Sequence, residues 1–241
     1  MRFTLVLSGL LYLSALAAAA MQPAPAQAGV PDARTLRVGV EAGRFDLEVR
    51  ADFFAAFSGD MKRFDRGMAR CEEVLAADPN HAEAMVWHGS GVFFRAGLAF
   101  QKGDIQNGMA LYQKGLAEMQ RAVEIAPDNV GVRIPRGAVL LEATRQMPEP
   151  QATALVQIGV SDFEHTLKLQ ESYFSTLSDH AKGELLFGLA DGWARLGDKS
   201  KAMQYFSRLT RDAAASGRAT YAKAWLDGTP PASPGRCVGC H

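Results

Sequence analysis

The residues whose types and spacing could do chemistry stand together as Cys237-Val238-Gly239-Cys240-His241. Two thiols separated by two residues can each bond a vinyl carbon of a haem, and the adjacent imidazole then falls beneath the iron as its proximal ligand. With 3 Cys and 5 His in 241 residues, such a pattern arises by chance roughly once in a thousand chains. Coincidence is therefore a weak explanation. Other readings stay open: a small disulfide or thiol redox pair, a metal site completed by His241, or residues with no chemical role. A C-x-x-C redox pair normally opens a helix of an α/β fold, and no such context is readable here.

Elsewhere the chemistry-bearing residues have plainer explanations. Cys71 falls on the apolar stripe Phe64, Met68, Cys71 and Leu75, where a small buried hydrophobe is expected. His88, between Trp87 and Gly89, could face a groove or make a structural hydrogen bond, and the structural role is favoured. The carboxylate pairs Asp60/Asp65 and Glu72/Glu73 belong on turns or helix faces, where solvation accounts for them. Arg133-Ile134-Pro135-Arg136-Gly137 sets two arginines around a proline near a helix start and could recognise an anionic group. Ordinary placement of proline in a first helical turn explains that stretch as well. Phosphate-cradling glycine loops, zinc-protease helices and serine nucleophile elbows do not occur, so no complete active site is expected and the chain is not read as an enzyme.

Composition narrows the partners. Lysine and arginine number 26 against 26 acidic residues, and no basic block or aromatic-interleaved basic stripe appears, so nucleic acid is an unfavoured partner. With 48% hydrophobic residues and 22% charged, the chain can build a core.

Positioning begins at the N-terminus. Met1 and Arg2 form a short positive start, Phe3 to Leu16 an apolar run, and Ala17 to Ala28 a small-residue region closing on Ala26-Gln27-Ala28. That is the layout of a secretory signal peptide over residues 1–28, with cleavage before Gly29. An uncleaved anchor is the competing reading, because Phe3 to Met21 nearly reaches the ~20 residues of a membrane span, but Pro23, Pro25 and the small-residue site oppose it. No cysteine follows before Cys71, which disfavours a lipid anchor. The expected destination is the periplasm, with no membrane span left after cleavage.

An extension over residues 29–44 contains the short alternation Leu36, Val38, Val40, and from Phe45 to Leu226 apolar residues recur at three- and four-residue steps. The fold is therefore expected to be all-α. Punctuation recurs too: Gly59-Asp60, Gly103-Asp104 and Gly197-Asp198 each precede an amphipathic helix, while Asp78-Pro79-Asn80 and Pro127-Asp128-Asn129 each close one. Repeated helix-turn-helix punctuation of this kind signals a solenoid. Leu185 to Leu209, reading LLFGLADGWARLGDKSKAMQYFSRL, resembles the tetratricopeptide repeat family, with Leu189, Ala190 and Trp193 on its first helix and Ala202 and Phe206 on its second. Looser copies run from Phe64 to Pro79 and from Tyr112 to Pro127, with first-helix partners in Ala82 to Gly97 and Val130 to Arg145. In the looser copies the Gly-Asp pairs lie early for a 34-residue repeat, so helices or turns must be longer than standard. Pro150 to Gln170 reads as a further helix, and Arg218 to Leu226 as a cap on the array's open end. The resemblance implies three to four helix pairs with a concave face that docks a protein or peptide.

After the cap, residues 227–241 form a linker with three prolines between Thr229 and Gly235, leading into the Cys-His segment. That segment resembles the attachment motif of c-type cytochromes, which implies one covalent haem c, thioethers from Cys237 and Cys240, and an axial bond from His241. Its sixth ligand stays open among His81, His88, His165, His180 and several methionines. A haem here is expected to be covered by the helical array or by another protein, or left exposed. Together these features point to an exported docking scaffold that passes electrons, its partner a redox or respiratory component. The alternatives are a haem-free periplasmic scaffold or assembly factor, and a thiol-redox or metal-handling protein.

Overall fold

The computed structural model describes residues 44–231. The expected signal segment, the extension up to residue 43 with its Leu36, Val38, Val40 run, and the residues Cys237, Cys240 and His241 lie outside the described residues.

Nine α-helices follow one another within that range: α1 (Asp46–Phe57), α2 (Met61–Ala77), α3 (Ala82–Gln101), α4 (Ile105–Ile125), α5 (Val130–Ala143), α6 (Gln151–Gln170), α7 (Asp179–Arg195), α8 (Lys199–Asp212) and α9 (Ala219–Leu226). Single 3-10 segments follow α5 (Thr144–Gln146) and α6 (Glu171–Thr176), and no strand occurs among the described residues. The fold is all-α, as the periodicity predicts. Helices pair as α1/α2, α3/α4, α5/α6 and α7/α8, and each pair packs on the next, with α9 closing the stack. This is a helical-repeat solenoid of four hairpins, of the kind the tetratricopeptide resemblance implies.

Three of the four hairpins turn by one device. Gly59, Gly103 and Gly197 adopt positive φ of 85°, 77° and 84°, a region open to glycine at little steric cost. The aspartate after each donates its amide to a carbonyl five residues back, Ala55, Ala99 and Trp193 respectively, at 3.0 Å. Its side chain then caps the next helix, accepting from the amides of Arg63, Asn107 and Lys201. The Gly-Asp signal therefore carries both the stop and the start. Because this turn is constant, the unusual spacing sits in the helices: α2 has 17 residues and α4 has 21, where α8 has 14.

The third hairpin departs from this pattern. Thr144 Oγ1 donates to the carbonyls of Leu140 and Leu141 at 2.7 and 3.0 Å, and Arg195 Nη1 reaches the Leu141 carbonyl from α7 at 2.7 Å. Carbonyls at the end of α5 thus find donors without a glycine cap. The Glu149–Pro150 bond, just before α6, is cis. Pro135 is the sixth residue of α5 and so lies beyond the first turn expected of it. Its missing amide leaves only one intrahelical bond unmade.

Close helix approach depends on small residues. In α3/α4, a Cβ on Gly115 would come within 2.7 Å of the Phe93 amide nitrogen and 2.8 Å of the Gly89 carbonyl, while one on Gly89 would meet the Gly115 carbonyl at 3.0 Å. Gly137 and Gly159 meet similarly in α5/α6. Around these crossings lie two apolar clusters. One gathers Val49, Phe53, Phe64, Met68, Trp87, Met119 and Leu140; the other gathers Leu141, Val160, Phe163, Leu186, Leu189 and Phe206. Helix α9 extends the second, with Trp225 stacked on Phe206 at 5.1 Å and Tyr221 edge-on to Phe187 at 5.1 Å. Among the described residues, no helix is long and apolar enough to cross a membrane.

Candidate functional site

Polar side chains inside the array bind helix to helix. Asp162, fully buried on α6, accepts from Arg136 Nε at 2.6 Å, Arg136 Nη2 at 2.7 Å and Arg133 Nη1 at 2.8 Å. Arg136 also donates to Gln120 Oε1 on α4 at 2.8 Å, so one guanidinium ties α4, α5 and α6 together. The two arginines around Pro135 do recognise an anion, and that anion belongs to the same chain. Their partner is 26 residues away from Arg136, a separation that helical periodicity alone does not reveal.

On α3, His88 is held in the same spirit. Its Nδ1 lies 2.6 Å from Glu118 Oε2 on α4 and its Nε2 3.7 Å from Glu72 Oε1 on α2, with the side chain only 12% exposed. The structural role holds. Asp52 on α1 accepts from Arg66 Nε at 2.7 Å and Arg63 Nε at 3.0 Å. The Arg66 hydrogen bond outweighs burial, and with Arg63 it holds the Asp52 carboxyl below the usual carboxylate range. Asp191 on α7 takes Arg145 Nη2 at 2.7 Å, with Arg195 Nη1 at 3.9 Å.

The remaining residues singled out by type are also engaged. Cys71 is fully buried in the first cluster, and burial pushes its thiol up to about 12, far from a nucleophile's range. Asp60 caps α2, Asp65 pairs with Arg95 at 2.9 Å, and Glu73 pairs with Arg70 at 2.8 Å. Among the described residues no cluster of three His, Cys, Asp or Glu could hold a metal ion.

The histidines and methionines that the sequence offers as an iron ligand are each engaged or exposed in their own way. His81 Nδ1 caps α3 by accepting from the Ala84 amide at 3.1 Å, His165 Nε2 lies 2.7 Å from Asp128 Oδ1, and His180 has a partner of its own. Met68 and Met119 are buried in the first cluster, and Met61, Met85 and Met147 pack against it. Met109 is 44% exposed on α4. Met203 is half-buried on α8 and packs into neither cluster. It lines a shallow depression along one face of α8 with Ser200, Gln204, Ser207, Arg208 and Arg211. Both arginines are engaged there, Arg208 with Glu171 and Asp212 and Arg211 with Asp212.

No protein-family model and no curated protein matches the chain. Among solved structures, one similar chain is described as an IFIT1 monomeric mutant with Gppp-AAAA. It is 15% identical over 61% of this chain and 46% of that one, with a TM-score of 0.30. This chain thus spans less than half of that protein's length, and a likeness of that size carries no argument about function.

Proposed function

We propose that this protein is an exported helical-repeat docking scaffold that carries one covalent c-type haem on the segment following α9, and that it serves a redox partner without being an enzyme itself. The observation that carries this reading is the run Cys237-Val238-Gly239-Cys240-His241 beyond a proline-rich linker, in a chain that begins with the layout of a secretory signal. A bound haem would supply a one-electron iron couple.

The chain's own residues do the rest. Cys237 Sγ and Cys240 Sγ would hold the haem by thioether bonds, each thiol adding across one vinyl group so that the sulfur–carbon bond forms at one vinyl carbon and the proton ends on the other, and His241 would offer an imidazole nitrogen to the iron. Residues 227–236 tether this group to the array, which raises its local concentration beside whatever the repeats hold. The first helices of the hairpins, α1, α3, α5 and α7, form the surface on which a protein or peptide from a redox or respiratory system would dock.

The test is expression of the full chain in a host with periplasmic haem-maturation machinery, followed by pyridine haemochrome absorption and intact mass. One haem per chain is expected, lost in a Cys237→Ala, Cys240→Ala variant. A colourless protein of unmodified mass overturns the haem reading. Two reactive thiols in it would leave a haem-free scaffold or a thiol-redox or metal-handling protein.

A further inference from the structure

We propose that His88 is a pH-sensitive joint between the first hairpin and the second, closed while its imidazole is charged and eased when the ring loses its proton. The proposal is independent of the haem reading and concerns the repeats alone.

Position is the first observation. His88 and Arg136 each precede the glycine at which their own hairpin crosses, Gly89 and Gly137, and each meets a carboxylate of the opposing helix at 2.6 Å, Glu118 and Asp162. The third hairpin fills this place with a guanidinium, which stays charged at every working pH. The second fills it with an imidazole, the side chain whose charge ordinarily changes between about pH 5 and 8. One place in the repeat therefore holds a permanent cation in one copy and a removable one in the other.

Donor count sets the direction. His88 stands between two carboxylates from different hairpins, its Nδ1 2.6 Å from Glu118 Oε2 on α4 and its Nε2 3.7 Å from Glu72 Oε1 on α2. The charged ring has an N–H on each nitrogen and presents a proton to both; the neutral ring has one, and its other nitrogen turns a lone pair toward an oxygen. The shorter contact to Glu118 keeps the remaining proton, so the contact released is the one to Glu72, across the hairpin boundary. By linkage, its contribution is present while the ring is charged and is lost as pH rises.

Neighbouring charges do not take over this role. Lys114 stands 3.8 Å from the other oxygen of Glu118 and is largely exposed. On α1, Asp52 is taken by Arg63 and Arg66, and Glu48 by Arg70, which also pairs with Glu73 on α2. On α5, Arg133 and Arg136 both turn to Asp162. Because Glu72 is 60% exposed, the effect is modest, about fivefold at most in the unfolding constant.

The experiment follows urea unfolding of the full chain from about pH 5.5 to 8.5, above the range in which Asp52 loses its charge, in wild type, His88→Gln and His88→Arg. The other histidines titrate alike in all three proteins, so ratios of unfolding constants cancel them. The His88→Gln constant is expected to exceed that of wild type by about fivefold at the acid end and to approach it at the alkaline end. His88→Arg, whose cation is permanent, should keep a level ratio to His88→Gln throughout. A second readout is the ring itself: the His88 Cε1 proton resonance, identified by its absence from His88→Gln, should titrate at lower pH in Glu72→Gln and Glu118→Gln than in wild type. A ratio of His88→Gln to wild type that stays level across the range, or a ring titration that neither carboxylate substitution moves, overturns the proposal.

Discussion

His88 and Arg136 are 48 residues apart and occupy the same place in successive hairpins. Each immediately precedes the glycine at which its two helices cross, Gly89 and Gly137, and each reaches a carboxylate three residues beyond the opposing glycine: Glu118 after Gly115, Asp162 after Gly159. Where backbones approach most closely there is room for a short polar bridge beside the contact, and this chain repeats that solution with different chemistry.

Burial makes the two bridges unequal. Asp162 is fully buried while Glu118 keeps 23% of its side chain exposed. Asp162→Asn strips two enclosed guanidiniums of their counter-charge and is expected to cost about 3–5 kcal/mol, a Tm loss on the order of 10 °C. Glu118→Gln, which preserves an acceptor at a wetter site, should cost about 1 kcal/mol. Urea denaturation of the two variants decides it, and equal losses would contradict the burial argument.

Acid should weaken the first hairpin through Asp52. Its carboxyl is held below the ordinary value of 3.8 in the folded chain by Arg66 and Arg63. The resulting stability is present above that value and is lost as pH falls through the lower folded one. Asp52→Asn should therefore be less stable near neutrality by about 1 kcal/mol or less, with the guanidiniums largely solvated, and its stability should fall less steeply below pH ~4. Unfolding curves taken from neutral to acid pH would show parallel slopes if the pairing were inconsequential.

Glycine substitutions separate contact from propensity. Gly115→Ala drives a methyl to 2.7 Å from backbone that cannot swing aside and should destabilise by several-fold more than an ordinary helix substitution. A methyl added at Gly97, on α3, would meet nothing within 4 Å. Gly97→Ala should therefore stabilise by about 1 kcal/mol through helix propensity alone. Thermal melts of the pair should move in opposite directions.

Thiol counting follows from Cys71. Fully buried, with its thiol pushed up to about 12, it should resist maleimide at neutral pH in the folded protein and react only after denaturation. Labelling of native protein therefore reports on Cys237 and Cys240 alone: two modifications without haem, none with it. Rapid labelling of Cys71 in the native state would contradict its placement in the core.

The elements are legible in the sequence because their signals are local. Gly59-Asp60, Gly103-Asp104 and Gly197-Asp198 encode a helix stop and start in two adjacent residues, and the LLFGLADGWARLGDKSKAMQYFSRL run places α7 and α8 outright. The turn after α5 is harder to read, because Thr144 and the distant Arg195 do there what a glycine does elsewhere. The partners of Arg133 and Arg136 are not legible, since periodicity assigns residues to faces and says nothing about which face meets which across 26 residues. The motif ending at His241 is readable from spacing, whereas a sixth ligand is not, since four histidines and several methionines offer donors alike.

Leu140 and Leu141 are neighbours on α5, yet one belongs to the first apolar cluster and the other to the second. Leu155 and Val156 on α6 divide the same way, so the third hairpin is the seam between the two clusters. Loss of order from the α9 end can run as far as α7 and still spare Phe53, Trp87 and Met119. Hydrogen exchange should accordingly divide the protein into two cooperative territories, the one ending in α9 free to open without dragging the other along.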